Sequence, residues 1–125
     1  MSEVRWDDWP LVTLTAGAGS AADFRESILG MLGDALERGT PFAAVVDMSR
    51  GVPGAETDPP GRAAEHARAV KEMRPALAER CRGLAFVAPG SRAASDRFWG
   101  CPATTVGGTA EAYAWVRERG VGADS

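Results

Sequence analysis

Two apolar patterns alternate along this chain, and each predicts a different element. Residues 42–48 (Phe-Ala-Ala-Val-Val-Asp-Met) and residues 83–88 (Gly-Leu-Ala-Phe-Val-Ala) are almost unbroken apolar runs. Runs of that length without alternation predict strands covered by helices on both faces. Residues 4–6 and 11–15 alternate apolar and polar positions, with Asp7, Asp8, Trp9 and Pro10 between them. That pattern predicts an N-terminal edge hairpin with one face buried. Phe24, Ile28, Met31, Leu32, Ala35 and Leu36 recur instead at helical spacing and form one apolar stripe.

The boundaries of these elements are written in turn and cap chemistry. Ser20 follows a glycine-rich break and predicts the N-cap of the first helix, with Asp23 in the position of a shortened capping box. Gly39 is its predicted stop. Residues 49–58 form a loop that contains Gly51, Pro53 and Gly54. Asp58 then caps a second helix, with Pro59 at a position where its missing N–H is harmless. Ala63, Ala67, Val70 and Leu77 give that helix a thin apolar side, and Pro75 predicts a kink or restart after Arg74. Pro89 and Gly90 close the second buried strand, and Ser91 can cap a short helix running through Phe98 and Trp99. A last strand near residues 103–106 leads through Gly107 and Gly108 to Thr109 as N-cap of a final helix. That helix buries Ala112, Trp115 and Val116 and ends at Gly120. Strand and helix thus alternate, which predicts an α/β fold: a mostly parallel sheet of about four or five strands with right-handed crossovers.

Length places the 125 residues in a single domain spanning 1–125. A net charge of −3, with arginines interleaved among acids, argues against a nucleic-acid partner. No stretch approaches the roughly 20 apolar residues of a membrane span, and the acidic N-terminus lacks the pattern of a signal peptide. Cys81 and Cys101 form no CxxC pair and have no histidine at ligand spacing, so no metal is expected. Reduced thiols in a bacterial-type cytoplasm are the expectation, and whether the two could pair depends on geometry.

Three segments together resemble the SpoIIAA-like branch of the STAS superfamily, the fold of anti-sigma-factor antagonists. They are Val-Asp-Met-Ser at residues 46–49, the stretch at residues 74–87, and Gly-Thr-Ala-Glu-Ala-Tyr-Ala-Trp at residues 108–115. The resemblance runs roughly from residue 10 to residue 119 and consists of fold signatures, not catalytic motifs. It implies a four- or five-stranded sheet backed by helices. In signalling members of that family a phosphorylatable serine opens the helix after the central strand, within an Asp-Ser-Ser/Thr-Gly motif. The equivalent place here reads Asp58, Pro59, Pro60, Gly61, so both acceptor positions lack a hydroxyl. The resemblance therefore implies a regulatory or binding module without the antagonist phospho-switch. Thr57 is a candidate substitute acceptor, with absence of any phosphorylation the competing expectation.

Candidate chemistry gathers at the carboxyl ends of the expected strands. Asp47 ends a buried strand, where α/β folds place ligands, and a carboxylate raised by burial could serve as a base. The plainer role is to accept backbone hydrogen bonds and shape the loop. Ser49 and Arg50 follow it, and Ser91 and Arg92 follow the next strand; together they could line one rim and hold an anion. The plainer role for Ser91 and Arg92 is a helix cap with a solvated arginine. Gly17, Gly19 and Ser20 lie in a G-x-G-x-x-A stretch that resembles a dinucleotide loop, with Asp47 ending the following strand. Against it, Thr13 and Thr15 interrupt the preceding strand, and Asp47 lies beyond the usual interval of about 20 residues.

His66, the single histidine, falls among helix positions that predict a partly exposed surface residue, and it has no catalytic partners in sequence. Trp6, Trp9, Phe98 and Trp99 are either core at the ends of the domain or a patch for a partner or a homodimer. Two functions are therefore expected. The first is a non-catalytic module binding a protein or a small ligand at the strand-end rim, with no cofactor. The alternative is a nucleotide- or cofactor-binding protein or enzyme using Gly17, Gly19, Ser20 and Asp47.

Overall fold

A computed structural model describes residues 3–7, 9–15, 21–48, 62–87 and 99–118. Five strands form one sheet: β1 (Glu3–Arg5), β2 (Leu11–Thr15), β3 (Phe42–Asp47), β4 (Cys81–Val87) and β5 (Ala103–Val106). They lie side by side in chain order; β1 is antiparallel to β2, and every later neighbour is parallel. The helices are α1 (Ala21–Glu37), α2 (Arg62–Arg80) and α3 (Thr109–Glu118).

This order dictates where the crossover helices go. Parallel crossovers are right-handed, and successive crossovers that advance in one direction place their helices on one face. Accordingly α1 and α2 share a face, packed on Val12, Leu14, Phe42, Ala44, Val46, Leu84 and Phe86. On the other face α3 lies alone, with Ala112 and Val116 against Leu11, Ala43, Val45, Ala85 and Val87. The alternation of these two sets along β2, β3 and β4 is the period-2 geometry of a strand. As expected, β3 is buried on both faces until Asp47.

The stripe predicted for α1 is the one that packs: Phe24, Ile28, Met31, Leu32 and Ala35 are buried. Gly39, at a φ of 74°, stops the helix. Its N–H donates to the Leu36 carbonyl and the N–H of Arg38 to that of Ala35, which tightens the last turn. Arg80, at the end of α2, donates to the Gly39 carbonyl and ties the two helix ends together. Between the helices, Gly33 leaves room for the Met73 methyl, 3.8 Å from where a Cβ would stand.

Four expectations need correction. The hairpin is present, but β2 is no half-buried edge: Leu11 to Leu14 are all buried, because β1 and β3 flank the strand and α3 reaches its far side. The first arm is Glu3–Arg5, not residues 4–6. Trp6 instead begins the turn, its carbonyl accepting the Trp9 N–H at 3.1 Å. Helix α2 does not restart after Arg74, because it is continuous through Pro75. Pro75 is exposed, so water can serve the carbonyl it leaves without a donor, while Val70 and Leu77 anchor the helix on either side. The cap of α3 is Gly108, not Thr109, since the Gly108 carbonyl accepts the first helical bond from the Ala112 N–H.

Candidate functional site

The carboxyl ends of β2, β3 and β4 share one edge of the sheet, and the register aligns them. Thr15 is level with Asp47, Asp47 with Val87, and Val87 with Val106. Asp47 is the only titratable residue in this row, and it is half-buried. Beyond it the N–H of Met48 donates to the Val87 carbonyl at 2.8 Å, carrying the pairing one step past the strand.

Alternation puts Thr15, Asp47 and Val87 on the face of α3. The same face receives Glu3 and Arg5 of β1, which are level with Thr15 and Thr13, while Val4 packs on the α1/α2 side. Because α3 packs mainly over β3 and β4, the part of its face formed by β1, β2 and the end of β3 is polar: Glu3, Arg5, Thr13, Thr15 and Asp47. Thr13 is 8% exposed, and among the described residues it is the one buried polar side chain apart from the thiols. Its hydroxyl shares a hydrogen bond of 2.9 Å with that of Tyr113 on α3. Arg5 and Asp7 approach to 3.9 Å with side chains 64% and 81% exposed, a surface pair of little energetic weight.

Helix α3 begins at the same end of the sheet. The Glu111 carboxylate lies close to Gly107 and Gly108, whose absent Cβ atoms would stand 3.9 and 4.0 Å from Oε1. The positive end of the helix dipole is thus already faced by an acid of its own first turn.

The segments expected to complete the rim leave from this edge. Ser49 and Arg50 follow β3, Ser91 and Arg92 follow β4, and Gly17, Gly19 and Ser20 connect β2 to α1; all lie outside the described residues. Thr57, Asp58, Pro59, Pro60, Gly61 and Phe98 lie outside them as well. The expected capping by Ser20, the helix start at Asp58 and the stop at Gly120 also fall there. His66 is on α2, and its side chain lies outside what the structure describes.

The connection β2–α1–β3 does bring the end of the strand before Gly17 beside Asp47, as a dinucleotide site requires. The other side of β2 is different. Such sites lie where the strand order reverses between parallel neighbours. Here that neighbour is β1, a three-residue antiparallel strand, and β2 to β5 advance without reversal.

At the opposite end of the sheet the tryptophans form an assembly that no local pattern announces. Trp6 and Trp9 are half-buried with ring centroids 5.6 Å apart, and Trp9 stacks on Phe42 at 6.0 Å. The Arg38 guanidinium covers both, 4.2 Å from the Trp6 centroid and 4.7 Å from that of Trp9. Trp99 is core, buried beside Phe86 at 5.5 Å. Arg38, just before the helix-stopping Gly39, reads locally as helix-end chemistry, and its aromatic partners lie about 30 positions away. Among the described residues no group of three or more His, Cys, Asp or Glu could hold a metal, and no helix is long and apolar enough to cross a membrane.

No family model matches this chain, and the comparisons with curated proteins and with solved structures found no match.

Proposed function

We propose that this chain is a non-catalytic regulatory or binding module, similar in design to STAS domains but without the antagonist phospho-switch. It takes a small anionic or apolar ligand, or a partner protein, at the carboxyl-end rim of its sheet. The observation that carries this reading is the one-directional strand order, which leaves the rim without the switch-point crevice of cofactor enzymes. The chemistry of the rim supports it too. Its aligned strand ends carry one carboxylate between a threonine and two valines, a set suited to orienting a ligand and too sparse for acid–base and nucleophilic steps together. Ser49, Arg50, Ser91 and Arg92 add hydroxyl and guanidinium donors in the segments that follow β3 and β4. The missing hydroxyls at Pro59 and Pro60 remove the acceptor of the signalling relatives.

A second reading keeps one observation in its favour, the alignment of Thr15 with Asp47 at the exits of β2 and β3. It makes the chain a nucleotide-binding protein that uses Gly17, Gly19, Ser20 and Asp47. Thermal-shift titration separates the two. The binding module is stabilised by small anions through Arg50 and Arg92, and Arg50→Ala or Arg92→Ala abolishes the shift. Strong stabilisation by NADH or ATP, lost on Gly17→Val or Asp47→Asn, would establish the second reading instead.

A further inference from the structure

We propose that Cys81 and Cys101 form a dithiol site, which a small two-electron oxidant such as hydrogen peroxide closes into a disulfide. Both cysteines are free, and they are 3% and 4% exposed. Both lie in the core cluster on the α1/α2 face, the Cys101 thiol is near enough to perturb that of Cys81, and the Cys81 Sγ donates to the Gly83 carbonyl at 3.5 Å.

A backbone irregularity makes this meeting happen. On β4 the residues Gly83, Ala85 and Val87 belong to the α3 face, and strict alternation would send Cys81 there as well. The register instead shifts at this point: Phe42 is level with Cys81, but Ala43 is level with Gly83. Arg82 is the extra residue, exposed at the bulge. The bulge re-aims Cys81 to the α1/α2 face, where Phe42 and Cys101 lie.

From the neighbouring segment Cys101 arrives at the same level. Leu84 is level with Ala103, and the Leu84 N–H donates to the Pro102 carbonyl at 2.9 Å. Cys81 precedes Leu84 by three residues and Cys101 precedes Ala103 by two, a difference the bulge absorbs. Adjacent strands run about 4.8 Å apart, inside the Cα separation of roughly 4.4–6.8 Å that a disulfide spans. Gly100, at a φ of 79°, turns the chain beneath Arg74 and delivers Cys101 to the core.

The reaction balances with peroxide alone. One thiolate attacks the O–O bond, giving a sulfenic acid and water once the proton is returned. The second thiol displaces hydroxide from that sulfur, forming the S–S bond and a second water. Each sulfur is oxidised by one electron and peroxide is reduced by two. Access is short-range: Arg82 and Pro102 are exposed, and Arg80 and Gly100 are half-buried beside the pair. The Cys101 thiol and burial hold the Cys81 thiol in its protonated form, so closure is slow at neutral pH and faster in alkali.

The test is intact-mass and peptide analysis of the native reduced protein after peroxide treatment and alkylation, without denaturant. The expected product is a monomer about 2 Da lighter that resists alkylation, links residue 81 to residue 101 and reverts with dithiothreitol. It melts roughly 8–15 °C higher than the reduced form, since the bond closes a loop of about 20 residues. Cys101→Ala abolishes the linked species; should that variant not fold, the peptide map of the wild type decides alone. Masses about 16 or 32 Da higher without an 81–101 link, or a link that forms only in denaturant, would overturn the proposal.

Discussion

The hydroxyls of Thr13 and Tyr113, one hundred positions apart in the chain, share a hydrogen bond of 2.9 Å across the α3 face of the sheet. It joins β2 to the terminal helix and satisfies a polar group that is otherwise walled in by Leu11, Val45 and α3. Removing one partner strands the other, whereas removing both leaves an apolar contact. Tyr113→Phe should therefore destabilise the fold by about 1–2 kcal/mol. Tyr113→Phe combined with Thr13→Val should recover most of that loss. Urea unfolding of the two single variants and the double variant measures the coupling; strict additivity would contradict it.

The Arg38 clamp makes a second prediction. Its guanidinium stands over two indole rings, and exposed cation–π contacts contribute roughly 0.5–1 kcal/mol each. Arg38→Ala should lower stability by about 1–2 kcal/mol and shift tryptophan emission, while Arg38→Lys should lose less. A loss that is the same in Trp6→Ala and wild-type backgrounds would show that the contact with Trp6 carries no energy.

Two glycines with positive φ should respond differently to the same substitution. A Cβ at Gly39 would meet nothing within 4 Å, so Gly39→Ala should cost only the backbone conformation, about 1 kcal/mol. At Gly100 it would stand 3.1 Å from the Cβ, Cγ and carbonyl oxygen of Arg74. Gly100→Ala should therefore cost more by about 1 kcal/mol or above. Equal losses in denaturant titrations would mean that the turn beneath Arg74 relaxes freely.

Cys81 links stability to alkaline pH. The neighbouring Cys101 thiol and burial push its pKa up from an ordinary 9.0, so the folded chain holds a proton that the unfolded chain releases. Stability from this group is complete below pH 9 and falls above it, by roughly 1 kcal/mol per pH unit. The difference between wild type and Cys81→Ala should shrink along that slope between pH 9 and 10.5. A constant difference would contradict a protonated, buried thiol.

Much of the fold was legible in local pattern. Residues 42–47, 103–106 and the stripe from Phe24 to Ala35 became the elements their apolar spacing predicts, because burial on both faces or one stripe leaves a mark in neighbouring positions. What failed depended on distant partners. The alternation at Thr13 suggested a half-exposed strand, whereas Tyr113 on the last helix supplies its hydrogen bond. The bulge at Arg82 depends on register between strands, and sequence periodicity carries no register. Pro75 suggested a kink or restart after Arg74, and the restart does not occur because Val70 and Leu77 anchor one helix on either side of it. Of the candidate rim, Asp47 was legible as the acid ending a buried run; its alignment with Thr15 and Val87 was not, since that follows from strand order.

A native mass spectrum of the freshly purified protein under non-reducing conditions tests the central claim most directly. The binding module should carry a small-molecule adduct or a partner chain that is retained by the wild type and lost from Arg50→Ala or Arg92→Ala. An adduct with the mass of a nicotinamide or adenine nucleotide, lost on Gly17→Val and kept by the arginine variants, would contradict it.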